Sequence, residues 1–428
     1  MPNKITNLLH TDFEFFAMWG FILGTSLSAL GPVFHYTGWG LSLIALLYGK
    51  IRYGANLITL PAKSKYPILL ILVIAFIWSM IANCFAADSF ESWGHSVSIH
   101  LEMLLTIFLV MRIIDKNKKL KYFILPIIIG TIITNFYFIF ITPITLGVHQ
   151  NLILGNSLGI YNILVMPFFF CYAFWSIKEH LFISMSLCII STLFLLSNFS
   201  SGPWLAGLIE ALIIAFYALK DKKITITFIA KTTVFLLVML FACNIVTDNF
   251  ILDRIHGEAH QAQSIKDVNT LTNSRTEIWY TAVKIIEDYP LTGIGRSMFV
   301  PFSAKYIDRI PLEIRSTDDK WFNQPHNMYL GFLLDAGIPS LISFILAFYF
   351  SIAKSLSIIR SRRVTENDLP WGVMCFTIFI GQMVHGVGSD IFELRSDIAP
   401  IFWTIWGILI ILPDGECQRN QIMTSKKS

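Results

Sequence analysis

Residues 67–86 read PILLILVIAFIWSMIANCFA, twenty residues without one charged side chain. A helix of that length spans the roughly 30 Å hydrocarbon layer of a bilayer, and a helix satisfies its backbone polar groups within one segment, as that layer demands. The pattern recurs outward from this stretch, near 13–31, 33–49, 97–113, 121–142, 152–176, 181–198, 203–219, 225–247, 328–353, 369–386 and 396–412. The chain is 55% hydrophobic and 14% charged, where soluble domains carry about 25% charge. Its mean hydropathy is +0.63. The expected fold class is all-α: a polytopic membrane protein of about twelve transmembrane helices with one large extracytoplasmic loop.

Charge gives the expected orientation. Lys63 and Lys65 precede the quoted stretch, and further basic residues fall in alternate connections: Lys116, Lys118, Lys119 and Lys121, then Lys220, Lys222 and Lys223, then Arg360, Arg362 and Arg363. The short loops at 31–35, 84–96, 143–151 and 199–202 hold no Lys or Arg. Positive loops face the cytoplasm, so both termini are expected inside. The formal net charge of +4 is a product of this rule and argues for no nucleic-acid partner. The first apolar segment lacks a small-residue cleavage site and reads as a retained helix. The six cysteines lie in or beside spans or in the tail, with none in the large loop, so neither a disulfide framework nor a cysteine metal site is expected. The expected divisions are membrane helices over 1–247, the large loop over 248–327, further membrane helices over 328–412 and a cytoplasmic tail over 413–428.

The loop carries nine basic residues on the side where the orientation rule disfavours them: Arg254, Lys266, Arg275, Lys284, Arg296, Lys305, Arg309, Arg315 and Lys320. Guanidinium groups grip phosphate through paired hydrogen bonds, so a phosphate or diphosphate at the membrane surface is a natural partner. The plainer alternative is a solvated surface balanced by neighbours such as Asp288, Asp318 and Asp319. Within the loop, Thr272 to Trp279 can cap and start a helix that runs to Glu287-Asp288 and stops before Tyr289-Pro290. Arg275 then sits at a helix start, where backbone N–H groups and a guanidinium can share an anion. Pro325-His326-Asn327 closes the loop against the next span. A histidine there can exchange protons near neutral pH, or can simply be hydrogen-bonded at a helix start.

Ser274-Arg275-x-Glu277-x-Trp279, Pro290-Leu291-x-Gly293-x-Gly295, and His326-Asn327 followed after nine residues by Gly337 together resemble the O-antigen ligase and polymerase superfamily. The resemblance covers about 200 to 400. It implies a glycosyl-transferring enzyme of the bacterial inner membrane that needs no cofactor and no metal. The implied donor is undecaprenyl-pyrophosphate-linked glycan at the periplasmic face. For a ligase the acceptor is lipid A-core and the product lipopolysaccharide, and for a polymerase it is another glycan. Carried over by residue, His326 is the expected general base and Arg275 the contact to the donor diphosphate. Arg254, Arg296, Asn327, Asp390 and Arg395 are expected substrate contacts, the last two from the segment Gly388 to Arg395. The family commonly carries Ser-Arg-Gly-x-Trp before the eighth span, whereas this chain reads Ser200-Ser201-Gly202-Pro203-Trp204. Ser201 supplies no cation, and Arg254, Arg296 or Arg395 is the expected substitute.

Two other signals compete. His256 and His260 stand at i and i+4, but no third ligand is evident and Gly257 weakens the helix, so no metal site is expected. Glu210 lies inside a span, where a carboxylate is usually paired or functional, and a proton-coupled transporter or flippase would show the same feature. Paired broken helices and a half-repeat, the marks of that class, are not apparent in the sequence.

Overall fold

The computed structural model describes residues 2–54, 66–86, 88–113, 121–141, 148–176, 181–196, 201–246, 275–312, 314–315, 324–361, 370–389 and 398–412. Among these residues every regular element is helical. In chain order they are α1 (Pro2–Ser26), α2 (Pro32–Tyr53), α3 (Tyr66–Asn83), α4 (Ser89–Ile113), α5 (Lys121–Phe136), α6 (Val148–Ser176) and α7 (Leu181–Leu196). There follow α8 (Ser201–Lys220), α9 (Ile226–Val246), α10 (Arg275–Asp288), α11 (Phe299–Ser303), α12 (Met328–Ser361), α13 (Trp371–His385) and α14 (Ala399–Ile411). Four stretches among the described residues are long and apolar enough to cross a membrane: Ser89–Ile113, Leu158–Trp175, Gly202–Lys220 and Met328–Arg360. Pro67–Asn83, Trp371–His385 and Ala399–Ile411 are apolar but shorter. The chain is an integral membrane protein on this composition.

Three contacts position the site. Helix α3 packs on α12, α8 packs on α13, and α13 packs on α12. Behind them, Phe348, Phe379, Phe402 and Trp406 form one aromatic cluster, with Phe402 and Trp406 centroids 4.9 Å apart. The Trp406 indole N–H, which lipid could not satisfy, donates to Ser351 Oγ at 2.7 Å.

The helix over the expected span 328–353 carries a break. Ala336 (φ −151°, ψ 25°) and Gly337 (φ 73°, ψ −170°) leave helical geometry inside α12. Pro339 follows two residues after Gly337; it cannot donate an N–H and its ring crowds the preceding turn. The freed backbone groups are met from elsewhere. The Ile338 N–H donates to Pro290 O at 2.8 Å, and the Ile294 N–H donates to Leu334 O at 2.7 Å. Trp78 Nε1 donates to Ala336 O at 2.7 Å. The segment 290–294 therefore enters the gap in α12, and a Cβ on Gly337 would collide with the Leu291 carbonyl. The left-handed φ and the close approach both require glycine.

The described part of the loop does not stand apart from the membrane helices. Ile278 and Ile285 of α10, Ile294, Met298, and Phe299 and Phe302 of α11 share a small core with Leu334 of α12. The α10 helix begins at Arg275 and ends at Asp288, as expected from the cap and the Tyr289-Pro290 stop. At its end Asp288 accepts from the Tyr306 hydroxyl at 2.6 Å and from Arg309 at 2.8 Å. Those two bonds hold the Asp288 carboxyl below the usual carboxylate range, the tyrosine contributing more.

Gly337→Ala combines a disfavoured φ with a backbone collision, so it should cost about 2 kcal/mol or more. Thermal unfolding in detergent micelles, with proteolysis of 290–315 as a local readout, tests this. A melting temperature and cleavage rate equal to wild type would remove the argument.

Candidate functional site

The residues of the site come from four places in the chain. The first is the start of α10. Trp279, one turn into that helix, donates from Nε1 to Pro325 O at 3.1 Å and fixes the residue before His326. The second is the segment 324–327. His326 adopts φ +48°, which is uncommon for a residue with a side chain. The next residue supplies the restraint: Asn327 Oδ1 accepts from the Tyr329 and Leu330 amides, both at 3.0 Å, as the N-cap of α12. Asn327 Nδ2 donates to Val387 O at 3.0 Å, so cap and histidine are tied to the third place, the turn after α13. Met328 N–H to Gly386 O (2.8 Å) and Tyr329 hydroxyl to Met383 O (2.9 Å) complete that tie.

Arg275 and His326, fifty-one positions apart in sequence, are neighbours here. The His326 ring is half-buried, and burial, with the Arg275 cation as a second cause, pushes its pKa down to about 4. The imidazole is therefore neutral at physiological pH. Gln324 Nε2 lies 3.2 Å from Nδ1. The Arg275 guanidinium lies over Gly388, where a Cβ would sit 2.9 Å from Nη1. The Gly388 amide in turn donates to His385 O at 3.0 Å.

The fourth place is the first turn of α8. A Cβ on Gly202 would lie 3.3 Å from His385 Nδ1, so the two helices meet closely at this point. His385 is 4% exposed, and Arg275 is the charge that acts on its ring. Deeper in the same interface, Glu210 of α8 presses against Gly381 of α13, beside the buried Gln382. Among the described residues no hydrogen-bond partner reaches the Glu210 carboxylate or the Gln382 amide, while the His385 ring meets the Gly202 backbone.

Arg296 is held elsewhere. Its Nη1 donates to Asp335 Oδ2 at 2.9 Å in a pair that is almost fully buried, and its backbone N–H donates to Asn83 Oδ1 at 3.3 Å. The pair lines a small cavity of about 40 Å³ with Ser79, His100, Ser340 and Trp403. Other loop cations are also matched: Lys284 with Glu287 at 2.7 Å, Arg309 with Asp288 at 2.8 Å and Arg315 with Asp308 at 3.9 Å. For these four the solvated or paired alternative holds, and Arg275 is the loop arginine that lies beside His326. Arg254, Asp390, Arg395, His256 and His260 lie outside the described residues. His385 was missed by the sequence reading because it falls inside the apolar span 369–386, and Gly202 was read only as part of the segment before the eighth span. The signal was a histidine at the end of one apolar helix and a glycine at the start of another.

Breaking the Arg296–Asp335 pair leaves a buried charge alone, so Arg296→Ala should cost about 3 kcal/mol in unfolding free energy. Arg275→Ala should leave stability near wild type. Denaturant titration of both variants separates the two arginines, and equal stability would place Arg296 among ordinary surface cations.

None of the curated proteins matches this chain. A family model described as O-antigen ligase matches residues 186–345, a segment that includes Gly202, Glu210, Arg275, Trp279, Arg296, Asp335 and Gly337 together with His326-Asn327. The structure joins the motifs of that segment to one another: Trp279 to Pro325, Pro290 and Leu291 to the break at Gly337, and Asn327 to the start of α12. The matched segment, 160 of the 428 residues, is similar to the O-antigen ligase family.

Proposed function

We propose that this protein is an O-antigen ligase that transfers undecaprenyl-pyrophosphate-linked glycan to lipid A-core at the periplasmic face of the bacterial inner membrane, with both termini cytoplasmic. The carrying observation is a neutral imidazole beside a guanidinium: His326, with its pKa near 4, next to Arg275. A general base must be unprotonated at working pH, and a departing diphosphate needs fixed positive charge. One pair of side chains meets both needs.

In this reading the acceptor hydroxyl oxygen attacks the anomeric carbon as the carbon–oxygen bond to the diphosphate breaks. The bonding pair leaves with the diphosphate, which Arg275 stabilises. The hydroxyl proton goes to His326. With the Gln324 amide turned so that its carbonyl accepts from Nδ1–H, Nε2 is the basic nitrogen. A single displacement inverts the anomeric centre. The activated donor supplies the driving force, and no metal or other cofactor takes part in the step.

The other expected contacts divide. For Asn327 and Arg296 the observed bonds favour positioning roles, Asn327 by capping α12 beside His326 and Arg296 by fixing the loop to Asp335. Arg254, Asp390 and Arg395 stay proposed as substrate contacts.

His326→Ala should lower glycan transfer by about two to four orders of magnitude, as loss of a general base does. Full activity in a purified assay would remove the assignment. The pH profile gives a second check. Because the His326 pKa is depressed to about 4, the base form persists on the acid side of neutrality. The wild-type rate should hold from pH 8 to about 5 and fall only as His326 is protonated. A half-maximal rate near pH 6.5 would mean that His326 titrates as an ordinary exposed imidazole.

Choice of acceptor is decided in a deletion strain. A ligase leaves lipid A-core bare while long undecaprenyl-linked polymer accumulates. Core carrying a single repeat, with no long polymer, would make the protein a polymerase, and an unchanged lipopolysaccharide ladder would sink both readings.

A further inference from the structure

Exposed apolar side chains form a stripe along α12: Ile338, Ile342, Ile345 and Tyr349, spaced by three or four residues and so on one face of the helix. In a membrane span such a face meets acyl chains. The stripe begins at the break, and there another segment of the chain prolongs it. The Ile338 N–H is bonded to Pro290 O, and the residue after Pro290 is Leu291, 62% exposed. Its carbonyl is packed against Gly337, while its side chain stays uncovered.

The depth of this corner follows from the length of α12. Arg360 lies at the far end of the helix, and a cation there marks one face of the bilayer. At 1.5 Å per residue the roughly 30 Å hydrocarbon layer is crossed in about twenty residues. Counted back from Arg360, the opposite boundary falls near Ser340, three residues past Gly337. Leu291 is therefore held at the edge of the acyl layer. A lone exposed leucine is ordinary on a water-facing surface; one that prolongs a lipid-facing stripe at this depth is not.

The residues beside it suit the layer above. Tyr289 is exposed, and amphipathic aromatic rings gather at headgroup level. Its ring meets the Phe302 ring edge-on with centroids 5.8 Å apart, and Lys305 Nζ lies 4.5 Å from the Phe302 centroid. The corner thus presents a leucine, then an interfacial tyrosine, then an ammonium that lipid phosphate can match.

We propose that the corner Tyr289–Leu291 is seated in the bilayer, with Leu291 among the acyl chains of the leaflet opposite Arg360 and with Tyr289 and Lys305 at its headgroups. The partner is the lipid surface itself. This goes beyond the glycan-transfer reading and rests only on α12 as a membrane span. The seat sets the height of α10 over the lipid, because 290–294 is bonded to the broken helix and shares a core with α10.

Photo-crosslinking tests the seat in the full-length protein, reconstituted into vesicles of phosphatidylethanolamine and phosphatidylglycerol. Benzoylphenylalanine replaces Leu291, Ile342 or Asp308 in turn. Ile342 is the lipid-facing standard and Asp308, an exposed carboxylate of the loop, the water-facing one. Lipid adduct at position 291, read by mass spectrometry, should match that at 342 within about threefold and exceed that at 308 by about tenfold, as a residue inside the acyl boundary requires. A yield at 291 no higher than at 308 would overturn the proposal. So would adducts to protein in place of lipid, whether within the chain or between two copies. Should the Leu291 variant not fold, the same substitution at Tyr289, an aromatic for an aromatic, is read by the same outcomes. If position 342 itself gives no lipid adduct, the lipid-facing stripe is wrong and the proposal falls with it, while the roles of His326 and Arg275 are untouched.

Discussion

The site depends on a gap in one membrane helix. Apolar surroundings leave no water to satisfy the backbone groups that a proline and a left-handed glycine set free, so something in the protein must fill them. Here the filler is the strand of loop from Pro290 to Ile294, bonded to Leu334 and Ile338, with the Trp78 indole on Ala336. The break is also where the loop becomes part of the bundle. Ion pairing reinforces it one residue away, since Asp335 receives Arg296 from the same loop.

From that anchor the position of the chemistry follows. With 290–296 fastened to α12, α10 is held over the start of the same helix, and Trp279 can reach Pro325. Asn327 caps α12 and reaches Val387, so the histidine between them has little freedom, which is how an uncommon φ at His326 persists. Strain of this kind, on the order of 1–3 kcal/mol, survives where the surroundings over-determine it. The result is an imidazole kept neutral by burial and by a guanidinium beside it.

Below this level the interface of α8 and α13 is unusual for a membrane protein. Glu210, Gln382 and His385 are all buried, and the polar side-chain atoms of Glu210 and Gln382 meet no hydrogen-bond partner among the described residues. Such groups are rare, costly and usually functional at membrane depth. Their position along one interface, leading from the Arg275 end inward to Glu210, gives the carboxylate noted in the sequence a setting next to the site. The transporter alternative drew on that carboxylate alone.

By itself the sequence determined the class of the protein and the identity of its chemical groups. Twenty-residue apolar runs can only be helices in lipid, and a cap followed by Tyr289-Pro290 bounds α10 at both ends, because these are local constraints. His326 and Arg275 were legible as candidates from residue type, motif and place at the membrane edge. The tertiary structure alone decided which loop cations pair with carboxylates. Arg296 and Arg309 resemble Arg275 in composition, yet carboxylates distant in sequence or on the far side of a turn claim them. It alone brought His385 to Gly202, since a histidine at the end of an apolar helix reads as one more core residue until another helix packs against it. The break at Ala336–Gly337 belongs to the same group: Gly337 and Pro339 hinted at it locally, but it is stable only because a segment some forty residues upstream supplies the missing hydrogen bonds.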